Sequence, residues 1–257
     1  MNFSELIGSV PFWLVFPGTC FIVLVFWEVG YRFGHNLART EDSESGQSIT
    51  TLVSIILGLV AFLLAFTFNM AATRFQDRRD VMIEDVNAIG TTYLRTETIA
   101  EPERSHIKAL LKDYVENRIN MSSASDIDSR LARASELQTG LWRETVAVTE
   151  KDRSPVAAVF VTSMNETLDM HTKRITMMFQ HRIPGLIWIA LYMLTILGIA
   201  AMGYQNGLLD HGRSPAVIIV TLVFAVVIFM IADLDKPGSG IIDVDQQPMI
   251  DLRNSMN

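Results

Sequence analysis

Apolar and polar positions separate sharply along this chain. Four stretches carry no charged residue: Leu6–Trp27, Gln47–Thr73, Ile183–Asn206 and Ser214–Ala232. Each holds roughly 18–25 mostly apolar residues, enough helix at ~1.5 Å per residue to cross a ~30 Å hydrocarbon core. Soluble core helices are seldom so long without a charge, so the pattern predicts four transmembrane helices. The first stretch is not written like a secretory signal. Met1–Val10 holds no Lys or Arg, and the residues after Trp27 are too bulky for a cleavage site. It reads as an uncleaved span. Pro184 and Pro215 fall at helix starts, not in interiors.

Between the second and third stretches lies a polar insert, about Phe75–His181. Met82, Val86, Ile89 and Tyr93 recur at spacings of three and four, as do Ile107, Leu110, Leu111, Tyr114 and Val115. Glu101-Pro102 fits a helix start, where proline loses nothing by lacking an N–H. Ser154-Pro155 is a cleaner start, with serine as the cap. Residues 121–128, MSSASDID, read as a linker that ends in a capping sequence. Three or four helices and no strand are expected. Between Ser48 and Thr98 only Gly58 and Gly90 weaken a helix. The second span is therefore expected to run on through Gln76–Arg95, about 75 Å if unbroken.

Charge sets the topology. Sixteen of the twenty-one Lys and Arg lie between Arg74 and Arg182. Arg74, Arg78 and Arg79 follow the second span, and Lys173, Arg174 and Arg182 precede the third. The positive-inside bias puts the insert in the cytoplasm and, with four crossings, both termini too. The fold class is thus an all-α integral membrane protein with four transmembrane helices and a helical cytoplasmic insert between the second and third. The expected domains are residues 1–74 (spans one and two), 75–182 (cytoplasmic helices), 183–232 (spans three and four) and 233–257 (cytoplasmic tail). The net charge of −7 is mixed through the insert, and no basic block suggests nucleic acid.

Little in the chain suggests catalysis. None of the five histidines lies within a predicted span, and there is no H-E-x-x-H, Walker loop or G-x-S-x-G. The single Cys20 excludes a disulfide framework or a cysteine metal site within one chain. His171 and His181, next to basic residues, read as flanking a helix on a solvated or headgroup-facing surface. The acids and bases of the insert read as ordinary solvated helix faces. No enzyme activity and no cofactor are expected. In the tail, Asp243 and Asp245 are a candidate weak cation site, although they lack the glycine and terminal glutamate spacing of an EF-hand loop.

The second span carries the strongest candidate site. Ile55, Leu59, Phe62, Phe66, Asn69 and Thr73 recur at spacings of four and three and share one helical face. Lipid does not explain Asn69, because an amide in hydrocarbon costs free energy without a partner. Two readings are open. Phe62 and Phe66 pack against another helix while Asn69 hydrogen-bonds across. Alternatively they form an apolar pore constriction, with Asn69, Thr73 and the adjoining Arg74 at its wetted mouth.

The run LAFTFNMAATRF, Leu64–Phe75, resembles the second transmembrane helix of bestrophins, where Leu-Gly-Phe is followed eight positions after the Phe by Arg and an aromatic. Here these are Leu64, Ala65, Phe66, Arg74 and Phe75, with Asn69 and Val86-Asn87 also in place. EDVNAIGTTYLR (84–95) and SGIIDVDQQPMIDL (239–252) resemble the bacterial bestrophin-like domain proteins, and the likeness extends to the order of elements along the chain. The resemblance implies a homo-oligomer, a pentamer, in the lipid bilayer of the inner membrane, with small anions as its partners. It also places a hydrophobic neck on Gly58, Phe62 and Phe66. Gly58 departs from the branched aliphatic expected there, and the acidic run that binds Ca²⁺ in animal bestrophins is thinned to Asp243 and Asp245. A bestrophin-like anion channel is the function expected. The alternative is a non-conducting membrane scaffold or sensor whose cytoplasmic helices bind a partner.

Overall fold

A computed structural model describes residues 12–38, 46–119, 127–179, 182–209, 212–213, 215–236 and 240–256. Every regular element among them is helical: α1 (Phe12–Leu37), α2 (Gly46–Arg95), a 3₁₀ turn (Thr96–Thr98), α3 (Glu103–Ile119), α4 (Ile127–Lys151), α5 (Pro155–Phe179), α6 (Gly185–Leu208), α7 (Ala216–Asp235) and α8 (Gln247–Ser255). α1, α2, α6 and α7 are long and apolar enough to span a bilayer. The predicted starts at Pro155, Pro184 and Pro215 fall where helices begin, and Ser154 Oγ accepts the Ala157 N–H as a cap. Glu101-Pro102 stands just ahead of α3. Most of the 121–128 linker lies outside the described residues.

α1 outruns its charge-free stretch by ten residues, continuing over Glu28 and Arg32 to Leu37. Those charges are matched: the Glu28 carboxylate accepts hydrogen bonds from Arg32 (2.7 Å) and Arg213 (2.9 Å). A boundary read from the first charge therefore stops too early.

The chain divides into two compact units. The membrane unit comprises residues 1–74, 182–236 and 240–242, and the helical unit residues 75–181, 237–239 and 243–257. α2 is one unbroken helix of 50 residues whose sequence contributes to both.

In the membrane unit α1 and α6 meet through glycine. G-x-x-x-G occurs in each helix, as Gly30/Gly34 and Gly203/Gly207. A Cβ on Gly30, Gly34, Gly203 or Gly207 would collide with the carbonyl oxygen of Ala200, Tyr204, Trp27 or Tyr31 respectively. The backbones approach as closely as helices can, the arrangement small-residue motifs favour in lipid. Phe16 on Phe229, edge to face at 6.0 Å, ties α1 to α7.

The helical unit has an ordinary apolar core around Ile89, Ile107, Leu111, Tyr114, Leu141 and Phe160, and α8 adds Met249 to it. Hydroxyls link α2 to α5: Thr92 Oγ1 donates to Ser163 O (2.8 Å) and lies 2.8 Å from Thr167 Oγ1.

Candidate functional site

α2 carries two stripes. Leu64, Ala71, Arg78, Asp85 and Thr92, seven apart, are all buried, and so are Val60, Thr67, Val81 and Ala88. The second stripe lies roughly 150° away at ~100° per residue. It holds Ile55, Leu59, Phe62 and Phe66, which are 64 %, 53 %, 68 % and 52 % exposed, followed by exposed Asn69 and Thr73. Gly58 adjoins it, and a Cβ there would meet nothing within 4 Å. Phe62 and Phe66 thus stand largely exposed in the single chain. The candidate constriction residues Gly58, Phe62 and Phe66 and the candidate mouth residues Asn69 and Thr73 all face outward.

Arg74 belongs to the other side. It continues the Val60–Thr67 series, and its Nη1 lies 3.9 Å from Asp235 Oδ1, at the end of α7. The same Asp235 oxygen accepts the Ile183 N–H at 2.8 Å, just before α6. The ends of three spans are thus joined at one carboxylate. Asp233 accepts the N–H groups of Ile241 (2.7 Å) and Ile242 (3.0 Å), which turns the chain back after α7.

In the tail, Asp243 Oδ1 accepts the Val244 N–H (2.8 Å) and Asp245 Oδ1 the Gln247 N–H at the start of α8 (2.9 Å). Among the described residues no three His, Cys, Asp or Glu side chains are grouped to hold a metal ion.

The helical unit holds a charge cluster that inspection of the sequence missed. Asp85, Arg118 and Arg174 are buried, not solvated. Arg174 Nη1 donates to Asp85 Oδ2 at 2.9 Å, and Arg118 Nη2 lies 3.5 Å from Asp85 Oδ1. Arg118 also stacks over Tyr114 and donates to its hydroxyl at 2.6 Å. Arg174 Nη2 reaches Gln246 Oε1 at 3.3 Å, ahead of α8. Burial, followed by the Arg118 charge, holds the Arg174 pKa below its ordinary value. His171 lies inside α5, half-buried beside this cluster. Burial first, and then the positive charge of Arg118, press its pKa down to about 4, so the imidazole is neutral at pH 7. The signal for the cluster was available: Arg118 extends the Ile107–Leu111–Tyr114 face of α3, and Asp85 the Arg78–Thr92 series of α2. Charges on an otherwise apolar stripe must be matched inside.

The description Bestrophin-like domain fits residues 20–249. Solved structures of variants of a bacterial bestrophin homologue from Klebsiella pneumoniae share the fold. One has a TM-score of 0.70 at 12 % identity, over 94 % of this chain and 95 % of that one. A second has 0.69 at 12 %, over 95 % and 96 %. A third has 0.67 at 12 %, over 95 % of each. No curated protein matches the chain. The family pattern thus spans most of the chain, from within α1 through the four membrane helices to Met249 in α8, and this membrane protein belongs to the bestrophin-like domain family.

Proposed function

We propose that the protein is an oligomeric channel of the inner membrane, pentameric, which passes small anions through an axial pore lined by α2. One observation carries the reading. The outward stripe of α2 runs without a break from Ile55, Leu59, Phe62 and Phe66 to Asn69 and Thr73, exposed throughout. Lipid would suit the phenylalanines but not the amide. An interface around a shared axis suits both: apolar rings exclude water, and polar residues below them let it in. Gly58 leaves the outer ring wide, and Arg74 adds positive charge behind the mouth. The cytoplasmic side is assigned to the insert from its basic residues. Met249, beyond the fourth span, shares a core with Ile107 and Leu111 of the insert, which supports one side for both.

The non-conducting scaffold is the second reading. It is favoured by Trp142 and Val146, partly apolar neighbours one turn apart on α4 that stand exposed. Anion flux into liposomes separates the two. Phe62→Ala/Phe66→Ala removes the rings, so flux rises while the oligomer keeps its mass. If the phenylalanines pack between subunits instead, the same change leaves cavities costing about 3–5 kcal/mol each. The oligomer then weakens with no gain in flux. That result, beside a wild type that conducts no ion tested, would sink the channel reading and leave the fold untouched.

A further inference from the structure

Three of the four charge-free stretches meet at one carboxylate. α2 leaves its apolar run at Arg74, α6 follows an apolar run that opens at Ile183, and α7 reaches its first charge at Asp233. Arg74 Nη1 lies 3.9 Å from Asp235 Oδ1, and the Ile183 N–H is bound to that same oxygen at 2.8 Å. All of these residues belong to the membrane unit. Asp235 therefore marks the level at which the chain passes from hydrocarbon into the headgroup layer.

Two guanidiniums stand at this level without acceptors. Arg182, directly before Ile183, is half-buried. Its side chain makes no hydrogen bond and no ion pair among the described residues, although its Nε is fully buried. Arg74 makes no side-chain hydrogen bond among them either: the Asp235 oxygen is too distant for one, and its buried Nη1 has no acceptor. Each guanidinium carries five N–H donors and cannot shed its charge. Asp233, near the end of α7, already spends both of its oxygens on the Ile241 and Ile242 N–H groups. In the headgroup layer the acceptor at hand is lipid phosphate, whose oxygens match the fork of a guanidinium. An apolar track leads away from Arg182. Leu186, Met193 and Leu197 of α6, seven and four residues apart, share one face and are all exposed, Leu186 to 76 %. The track begins four residues after Arg182 and runs into the span, the course an acyl chain takes from a phosphate held at its end.

We propose that Arg74 and Arg182 form a binding site for an anionic phospholipid, with its phosphodiester between the two guanidiniums and an acyl chain along Leu186, Met193 and Leu197. A zwitterionic lipid is disfavoured, because its ammonium would meet the same two positive charges. The site lies on the Asp235 side of α2, away from the Phe62 and Phe66 stripe, and does not depend on any ion crossing the membrane.

Phosphatidylglycerol is the probe. The full chain, stripped of lipid in detergent, is melted with phosphatidylglycerol or phosphatidylcholine at equal mole fraction. A saturable rise in melting temperature is expected with phosphatidylglycerol, about 3 °C at ten times the half-saturating fraction, and none with phosphatidylcholine. Soluble glycerol phosphate, which offers the same phosphate without acyl chains, should give none at the concentration where the lipid saturates. In Arg182→Gln the half-saturating fraction should increase at least tenfold. Arg153→Gln removes an exposed charge from the helical unit and should leave it unchanged. On the wild type, phosphatidylglycerol with a photoreactive group beside its phosphate should label residues 182–186. If Arg182→Gln does not fold, the labelled segment decides alone. No saturable rise, an equal rise with phosphatidylcholine or glycerol phosphate, equal weakening in both variants or in neither, or label found only elsewhere would each overturn the proposal.

Discussion

The two units are held together by different means. In the membrane unit, α1 and α6 touch backbone to backbone at Gly30, Gly34, Gly203 and Gly207. The helical unit relies on bulky side chains such as Ile107, Leu111 and Phe160, and seals Asp85, Arg118 and Arg174 among them. The surroundings explain the contrast. Between helices in lipid, burying an apolar side chain gains little, because lipid is as apolar as leucine. Attraction must come from close contact and weak Cα–H···O bonds. Where water is the alternative, apolar burial supplies most of the driving force. Such a core tolerates charges, provided that each finds a partner.

The sharpest way to break the contrast is Asp85→Ala. It leaves Arg118 and Arg174 buried without their shared carboxylate, at a cost of about 3–5 kcal/mol. Hydrogen exchange should accelerate throughout α3 and α5, while α1 and α6 keep their protection. In the membrane unit the corresponding change is a single methyl. Gly203→Ala drives a Cβ into the Trp27 carbonyl oxygen and should destabilise the unit by about 1–3 kcal/mol, read as a lower melting temperature in detergent.

Acid should also separate the units. The folded pKa of His171, about 4, lies below the ordinary value of 6.5. Between those values the unfolded chain binds more protons, so stability falls as pH drops from about 6.5 to 4 and levels off below. His171→Gln should flatten that slope in pH-dependent unfolding, and the exchange rates of α1 and α6 should not follow it. The smallest effect sharpens the meaning of glycine. Gly58 has open space around its Cβ position, so Gly58→Ala should be neutral or stabilise α2 by up to about 1 kcal/mol. Equal damage from Gly58→Ala and Gly203→Ala would mean that close backbone contact is not what sets the two glycines apart.

Hydrophobic patterning made the four spans legible because lipid demands an apolar run, which a sequence states directly. The outward stripe was legible for a similar reason: Asn69 is a polar residue in the wrong solvent. The buried cluster was overlooked because Asp85, Arg118 and Arg174 lie far apart in sequence, among charges that truly are solvated. Only their shared face with Ile107, Ile89 or Met170 distinguishes them. Arg74 was grouped with Asn69 and Thr73 by sequence proximity, yet one residue of helix is a rotation of about 100°, and its side chain turns to Asp235. The paired G-x-x-x-G motifs stood in plain view, but a motif does not name its partner helix.

The place of Met249 has a consequence for how the molecule is made. Its side chain is wholly buried in a core that includes Ile89, Ile107 and Phe160. Between that core and Met249 the ribosome must first produce α6 and α7. The insert therefore waits, with one wall missing, while two more helices are translated and threaded into the bilayer. Long-range closure of this kind is slow to form. Until α8 arrives, the core around Ile89, Ile107 and Leu111 lacks the side chain of Met249.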